Sequence, residues 1–246
     1  MSAGVGVAGN QTVLESPAAR RWRRDRWFFS GMAVLAAAVI FAGFSRTYYL
    51  RGVFGRPELS PLLHVHGALF SSWIVLLVAQ ATLVAARRTD LHRRLGVAGG
   101  ALAVAMTVMA LVVSIDGARR GAALPGTDVL VFLAVPLATV IVFPALVGSA
   151  LLLRRQPDAH KRLMLIATTE LLSAGVGRLP GITSALGFFG FTDLFVVALW
   201  AYDFLTRGRV HPAALWGGLF LIASQVLRLA ISGTDAWLRF ATWITG

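Results

Sequence analysis

Long apolar stretches alternate with short polar segments along most of this chain. Apolar and polar residues do not alternate with a period of two inside the stretches, so the pattern is typical of helices and not of barrel strands. A helix needs roughly 20 apolar residues to cross a bilayer core of about 30 Å, and seven stretches meet or nearly meet that length. The predicted transmembrane helices lie at about 27–45, 62–86, 95–115, 128–153, 160–178, 186–205 and 211–232.

The composition indicates the same class of protein. Hydrophobic residues make up 57% of the 246 positions and charged residues only 14%, which is too apolar for a soluble domain of this size. The sequence therefore predicts an all-α polytopic membrane bundle whose main partner is the lipid bilayer. We expect it in the bacterial inner (cytoplasmic) membrane.

The basic residues are concentrated at one end of the predicted bundle. The formal net charge is +12, and Lys and Arg accumulate in the loops of membrane proteins that stay in the cytoplasm. With seven crossings, this rule places the N-terminus in the cytoplasm. The charge then reflects topology and attraction to anionic lipid headgroups, and nucleic-acid binding is not expected. The cytoplasmic basic residues are Arg20, Arg21, Arg23, Arg24, Arg26, Arg87, Arg88, Arg93, Arg94, Arg154, Arg155, Lys161, Arg162, Arg207 and Arg209.

We divide the chain into three parts. Residues 1–26 are predicted to be a disordered basic cytoplasmic lead, and the first helix is interpreted as an uncleaved signal-anchor. Residues 27–232 form the transmembrane domain. Residues 233–246 are predicted to be an amphipathic segment at the outer interface, where it serves as an anchor or as a contact for another membrane subunit.

A short charged motif occurs twice where a cytoplasmic loop enters a helix. The segments "TDLHRRLG" at 89–96 and "PDAHKRLM" at 157–164 share the pattern Asp-x-His-basic-Arg-Leu, and a third loop places His211 before the last helix. We interpret the chain as one leading helix followed by three hairpins, of which the first two are an internal duplication. The alternative is a charged turn whose aspartate favours the helix start and whose histidine lies at the interface.

These motifs resemble those of a bacterial multi-pass membrane family of unknown function. That family carries an HR-x-x-G element, here "HRRLG", and an HRRWM-like element followed by a later arginine, here "HKRLM" and Arg178. The resemblance covers residues 62 to about 180, and Leu163 stands where the family pattern often has Trp. It supports the fold and brings no settled activity with it. The residues that it singles out are His66, His92, Arg93, His160, Met164 and Arg178.

A second similarity is to membrane b-type cytochromes of the ascorbate-reducible kind, carried by His66-Gly67, Trp73, Ala86-Arg87 and His92. This resemblance implies haem b as a cofactor, and histidine nitrogen is the usual axial ligand of such iron. His92, His160 and His211 are predicted to share a depth at the cytoplasmic surface, so a pair among them could hold the haem. His66 is left as an uncertain outer site, because no histidine lies opposite it.

The numbers of cysteine and lysine residues exclude several other cofactors. The chain has no cysteine, which excludes disulfides, thioether-linked haem and cysteine-ligated iron-sulfur clusters. Its only lysine, Lys161, lies in a predicted loop, which excludes a retinal Schiff base in the bundle. His64 and His66 would point about 200° apart on a helix, so they could bind one metal ion together only if the chain there is extended.

Ionisable residues inside the predicted spans indicate an intramembrane site. Each costs at least about 2.5 to 3.5 kcal/mol near the bilayer centre, so it normally faces a partner or a cavity. Glu170, near the middle of the fifth span, is the expected titrating group. We predict an outward-opening pocket in which arginines bind a carboxylate or propionate. The alternative is a packing network with a salt bridge from Asp193 to Arg178 or Arg228. The residues expected to converge with Glu170 are His66, Arg178, Asp193, Gln225 and Arg228.

The second helix adds a polar stripe to this prediction. His66, Trp73 and Gln80 are spaced by seven residues, so they fall near one face of a helix. Gln80 would be unfavourable against lipid. We therefore expect this face to look into the bundle and to contribute to the pocket.

Three classes of function follow from these residues, and the sequence does not decide whether the protein is an enzyme. A b-type haem or redox membrane protein is the leading hypothesis. An accessory subunit of a larger membrane complex would pair its interior polar groups with each other and bind no ligand. A small-molecule transporter, channel or receptor would have a water-filled pocket that reaches Glu170.

Overall fold

The computed structural model describes residues 16–124, 126–182 and 184–246, and these residues form helices and loops without a strand. The predicted all-α fold is confirmed. A short π-helical segment, Ser45–Tyr49, continues directly from the first helix. The α-helices are α1 (Pro17–Phe44), α2 (Pro61–Ala85), α3 (Thr89–Arg119), α4 (Val129–Leu152), α5 (Pro157–Val176), α6 (Ala185–Arg207), α7 (Pro212–Ser232) and α8 (Asp235–Thr245).

Prolines and capping side chains define where these helices begin. A proline occupies the first turn of α1, α2, α5 and α7, where its missing N–H breaks no helical hydrogen bond. The cap at Ser16 starts α1 well before the predicted position 27, so residues 17–26 are helical where we predicted a disordered lead. Residues 1–15 of that lead lie outside the described residues. The side chains that accept a backbone N–H at a helix start are Ser16, Ser60, Asp128, Ser184, His211 and Thr234.

Within the described residues, six helices are long and apolar enough to cross a bilayer. They are α1 with its π-helical extension, α2, α3, α4, α6 and α7. The chain is therefore an integral multi-pass membrane protein, and its surroundings are lipid. The predicted span at 160–178 corresponds to α5, which is not among the six because its sequence carries several charged residues. The hydropathy of the described helices alone thus identifies six membrane-spanning helices and not the predicted seven.

Helix α5 is enclosed by other helices. Every residue from Arg162 to Leu172 is buried except Met164, and α5 packs against α1, α4, α6 and α7. A polar side chain on α5 therefore meets protein where it would otherwise meet lipid, which removes most of the penalty for charge within a membrane. The low hydropathy of α5 follows from this enclosed position.

Helices α1 and α5 run in the same direction. Near their starts, Lys161 donates to Asp25 at 2.5 Å, and near their ends Gly43 lies against Gly175. Helix α6 runs the opposite way, since Arg207 at its end donates to the carboxylate of Asp158 at the start of α5 at 3.0 Å. We call the end formed by loops 86–88, 153–156 and 208–211 the basic end, and the opposite end the cavity end.

Helix α8 is docked on the cavity end of the bundle. Trp237 donates from Nε1 to the carbonyl oxygen of Leu130 on α4 at 2.8 Å, and Arg119 on α3 donates from Nε to the carbonyl oxygen of Thr245 at 3.1 Å. Trp243 is 77% exposed. The C-terminal segment is therefore an ordered helix held on α3 and α4, and its location in the outer membrane interface stays a prediction.

The close approach of α1 to α5 depends on two glycines. A Cβ atom on Gly43 would collide with the carbonyl group of Gly175 and would lie 2.7 Å from its Cα atom. Small residues permit this kind of backbone contact between membrane helices. Gly31, on the same helix, has open space around the position of a Cβ atom.

We predict that Gly43→Ala lowers the free energy of unfolding by roughly 1 to 3 kcal/mol, the usual cost of overpacking, because α5 must shift to admit the methyl group. Gly31→Ala is the matched control and should be neutral or stabilising by up to about 1 kcal/mol. Thermal unfolding of the detergent-purified proteins, followed by circular dichroism, measures both. Equal midpoints for the two variants would contradict the contact.

Candidate functional site

A cavity of about 620 Å³ lies between α1 with its π-helical extension, α2, α3, α4 and α5 at the cavity end, and the start of α6 contributes Phe188 to its lining. Most of its lining is apolar, as at Phe70, Leu133 and Phe188. This volume, with apolar walls and a few polar groups, is typical of sites that bind small molecules. The cavity reaches Glu170. Its polar lining residues include Tyr49, His66, Ser71, Thr139, Glu170 and Arg178.

The floor of the cavity is a buried pair of opposite charges. Arg228 on α7 donates from both terminal nitrogens to the carboxylate of Glu170, at 3.1 and 3.3 Å. Thr139 on α4 donates its hydroxyl to the same carboxylate at 2.7 Å. Glu170 and Arg228 are 2% and 1% exposed. Further bonds from the guanidinium to Ser224 and to the carbonyl of Val135 satisfy its other N–H groups, so one charge pair links α4, α5 and α7.

The wall of the cavity carries an arginine and a histidine with unused bonding capacity. The guanidinium of Arg178 lies 4.4 Å from the ring centre of Phe44 and donates to the carbonyl oxygen of Ala174 at 2.5 Å. No carboxylate of the described residues lies within 4.0 Å of it. The ring of His66 packs on Phe70 at 4.2 Å, and its Nδ1 atom is buried without a protein hydrogen-bond partner. The wall is therefore suited to an anionic or hydrogen-bond-accepting ligand group.

Two hydroxyl groups lie beside this part of the wall. Tyr49 and Ser71 are joined by a hydrogen bond of 2.8 Å between their hydroxyl oxygens, and both line the cavity. Tyr49 belongs to the π-helical segment, which begins at Ser45, where the predicted first span ended. A π-helical turn is often found at functional sites. The hydrophobicity of its residues does not distinguish such a turn from the end of an α-helix in the sequence.

The polar stripe predicted on α2 does face the bundle, but its members lie in different places. His66 lines the cavity. Trp73 is 2% exposed and donates from Nε1 to the hydroxyl of Thr168 on α5 at 3.2 Å. Gln80 lies toward the basic end and donates from Nε2 to the carbonyl oxygen of His92 at 3.2 Å. Of the three, only His66 contributes to the cavity.

Asp193 and Gln225 form a separate contact between α6 and α7. Gln225 donates from Nε2 to the carboxylate of Asp193 at 2.9 Å, and neither residue lines the cavity. The expected salt bridge from Asp193 to Arg178 or Arg228 does not occur among the described residues. Arg228 pairs with Glu170 instead. Helical periodicity gives the depth of each residue, and it could not tell which of two acids would face Arg228.

The two histidines of the repeated motif meet at the basic end. The ring centres of His92 on α3 and His160 on α5 are 6.2 Å apart, and the ring planes are at 88°. The Nδ1 atom of His160 is hydrogen-bonded to the carbonyl oxygen of Ala150 on α4 at 2.8 Å. His211, predicted at the same depth, instead accepts the backbone N–H of Ala213 on its Nδ1 atom at 3.1 Å. Of the three predicted pairs, the structure brings together His92 and His160.

His211 caps the start of α7. Burial lowers the pKa of its imidazole, and the positive charges of Arg162 and Arg207 lower the pKa further. A neutral ring can accept the Ala213 N–H, while the backbone N–H of His211 donates to Asp203 at 3.0 Å. The role of His211 in the structure is therefore that of a cap.

Packed helices lie on both sides of His92 and His160. A haem with two histidine ligands needs space for the macrocycle between the two rings. Helix α3 packs directly on α2, where a Cβ atom on Gly99 would lie 3.0 Å from Leu76. Helix α5 is tied to α4 through His160 and the buried Ala150. The pair has the ligand type that haem iron takes, but packed helices flank it.

His64 and His66 do not share a side of α2. The helix begins at Pro61, so the chain is not extended at these residues, and the two side chains point about 200° apart. His64 is exposed, whereas His66 lines the cavity. The condition for a shared metal ion is not met. The described ranges also contain no group of three or more His, Cys, Asp or Glu residues placed to hold a metal.

A second charge network lies at the basic end, and our sequence reasoning missed it. Arg162, which we counted among the cytoplasmic basic residues at the start of the fifth span, is fully buried and donates from Nε to both carboxylate oxygens of Asp203 on α6, at 2.8 and 3.1 Å. Asp203 lies inside the predicted sixth span, and a carboxylate there was the available signal. The network ties α1, α5 and α6 together. We call it the ionic cluster, and it comprises Asp25, Asp158, Lys161, Arg162, Asp203 and Arg207.

Comparisons of the chain with protein-family models, with curated proteins and with solved structures find no match.

We predict that Glu170→Gln destabilises the protein by roughly 3 to 5 kcal/mol, because it leaves the guanidinium of Arg228 charged and buried without a counter-charge. The double variant Glu170→Leu with Arg228→Met should recover most of this loss, since it removes both charges. Asp193→Asn is the control, because asparagine still accepts from Gln225. Thermal unfolding in detergent measures all three, and a double variant no more stable than Glu170→Gln would contradict the coupling.

Proposed function

We propose that the chain is a bacterial inner-membrane protein with seven crossings and a cytoplasmic N-terminus, and that its cavity binds a small amphipathic acid. The protein would then act as a transporter or a receptor for that acid. The observation that carries the proposal is the guanidinium of Arg178, which lies at the wall of an apolar cavity with no carboxylate within 4.0 Å among the described residues.

The seventh crossing in this proposal is α5. It runs beside α1 from the basic end to the cavity end, as the contacts of Asp25 with Lys161 and of Gly43 with Gly175 indicate. Its charged residues do not oppose a crossing, because neighbouring helices shield them from lipid. The excess of basic residues at the starts of α1, α3 and α5 supports a cytoplasmic basic end.

The charge of the cavity supports an anionic ligand. At the floor, Glu170 and Arg228 balance each other. At the wall, Arg178 adds a positive charge without a balancing acid among the described residues. A ligand carboxylate can accept from the remaining N–H groups of the guanidinium, and the buried Nδ1 atom of His66 can donate to it. The apolar lining then suits the hydrocarbon part of the ligand.

The other two classes of function receive less support. An accessory subunit would pair its interior polar groups with each other, and the floor of the cavity and the ionic cluster do this. That hypothesis gives no reason for the open volume or for the unused bonding capacity of Arg178 and His66. A haem b protein is less favoured, because α3 packs closely on α2 and α5 is bonded to α4 beside His92 and His160.

The topology is tested by cysteine labelling, for which this cysteine-free chain needs no background substitution. We predict that a membrane-impermeant maleimide labels Thr127→Cys and Ser184→Cys in intact cells. Gln156→Cys should react only after the membrane is permeabilised. These three positions are exposed loop residues on either side of α4 and α5. Equal labelling of Gln156→Cys and Ser184→Cys in intact cells would contradict a crossing by α5.

The ligand is tested with decanoate and with decanol, which has the same chain length without the charge. We predict that decanoate binds the protein in nanodiscs, and that Arg178→Gln weakens this binding roughly 10- to 150-fold. That range corresponds to a charged hydrogen bond worth about 1.5 to 3 kcal/mol. Decanol binding should hardly change.

The control for this experiment is Arg239→Gln, which removes an exposed arginine of α8 that does not line the cavity. Isothermal titration calorimetry gives all the affinities. Decanoate binding that is equally weakened in both variants, or equally strong in Arg178→Gln and the unaltered protein, would contradict a specific site at the cavity wall.

A further inference from the structure

The geometry points to a transition-metal site at the basic end, formed by His92, His160 and the side-chain oxygen of Gln80. It goes beyond the proposed ligand cavity, because it lies at the opposite end of α2 and shares no residue with the cavity lining. The ligand that fits is one divalent ion from the late first-row metals, such as Zn²⁺, Ni²⁺ or Cu²⁺.

The aspartate and the arginine of the repeated motif have different surroundings in its two copies, whereas the two histidines contact each other. In the copy on α5, Asp158 and Arg162 enter the ionic cluster. In the copy on α3, Asp90 and Arg94 are exposed. Each copy nevertheless places its histidine in the first turns of its helix, and the fold brings these two imidazoles to 6.2 Å between ring centres. The contact between the histidines is thus the structural feature to which both copies of the motif contribute.

The separation of the rings is within reach of one metal ion. A metal bound to an imidazole nitrogen at about 2.0 to 2.1 Å lies about 3 Å from the ring centre. Two rings on one ion in tetrahedral geometry therefore have centres about 5 Å apart, and in linear geometry about 6 Å apart. The distance of 6.2 Å between His92 and His160 is close to the linear limit. A side-chain rotation that closes it by about 1 Å reaches the tetrahedral arrangement.

Two of the three proposed ligands carry buried atoms without a hydrogen-bond partner. These atoms are Nδ1 of His92 and Oε1 of Gln80. They belong to adjacent groups, because Nε2 of the same Gln80 amide donates to the carbonyl oxygen of His92 at 3.2 Å. Burying a polar atom without a partner is unfavourable, so a buried orphan atom calls for a bound group. A cation satisfies both, since each can present a lone pair.

The third ligand, His160, is oriented as metal-binding histidines are. Its Nδ1 atom is hydrogen-bonded to the carbonyl oxygen of Ala150 at 2.8 Å, and a carbonyl oxygen can only accept. In the neutral ring this bond puts the proton on Nδ1, so that Nε2 presents its lone pair. A backbone carbonyl in this role holds the tautomer and the orientation of a metal-bound imidazole.

The donor set selects the class of metal. Two imidazole nitrogens with one amide oxygen suit Zn²⁺, Ni²⁺ or Cu²⁺, and water can complete the coordination. Ca²⁺ and Mg²⁺ prefer several oxygen ligands, usually with carboxylates among them. Neither His92 nor His160 has a carboxylate partner among the described residues, and Arg93 is exposed beside His92.

The test uses the full chain, purified through an affinity tag without histidine and stripped of metal with EDTA. Calorimetric titration with Zn²⁺ should show one ion per chain, and His92→Ala should weaken binding at least roughly tenfold. His160→Asn should do the same while its amide still donates to the carbonyl of Ala150, which preserves the contact with α4. His64→Ala, at an exposed histidine of α2, should leave binding unchanged.

Electron paramagnetic resonance of bound Cu²⁺ provides a second measurement that does not depend on affinity. The spectrum of the unaltered protein should show coupling to two imidazole nitrogens, and each single-histidine variant should show one. Zn²⁺ binding that is absent, or equal in His92→Ala, His160→Asn and His64→Ala, would overturn the proposal. So would a Soret band lost in His92→Ala, which would identify haem as the occupant. Decanoate binding by the same variants reports separately on the cavity.

Discussion

A charge buried within a membrane protein must meet an opposite charge, and this constraint governs the position of α5. Glu170 meets Arg228 on α7, and Arg162 meets Asp203 on α6. The two contacts lie about two turns apart along α5, so they hold the helix against its neighbours at two depths. Removing one partner of such a pair is far more costly than removing both. The pairs therefore specify which helices surround α5 as well as stabilising them.

The enclosure of α5 divides the molecule into two ends of different character. At the basic end, the ionic cluster joins α1, α5 and α6, and charge is satisfied within the protein. At the cavity end, the helices leave about 620 Å³ between α1 to α5, and the wall keeps a guanidinium without a carboxylate. The ionic cluster thus stabilises the fold at the basic end, whereas Arg178 at the cavity end remains available to a ligand.

Neutral and positive surfaces are combined within the cavity. The Glu170 and Arg228 pair offers no net charge to a ligand, because each group is bonded to the other and to Thr139 or Ser224. Arg178 supplies the net charge at the wall. A ligand is accordingly expected to place its acidic group near Arg178 and its apolar part toward the interior. The histidine pair lies apart from this arrangement.

The sequence by itself determined the all-α fold, the membrane environment and the approximate limits of the helices. Long apolar runs, helix-starting prolines and capping residues are local properties, and they do not depend on which helices become neighbours. It also predicted that Glu170, Arg178 and His66 converge, because their depth can be counted along a helix, and all three line the cavity.

Only the tertiary structure decided the partners. It paired Arg228 with Glu170 and Asp193 with Gln225, and it buried Arg162 against Asp203, although Arg162 was expected at the cytoplasmic end of its helix with the other basic residues. Periodicity specifies a depth and a face for each residue. The identity of the facing residue depends on the rotation and arrangement of whole helices, which is a property of the packed bundle and of no single segment.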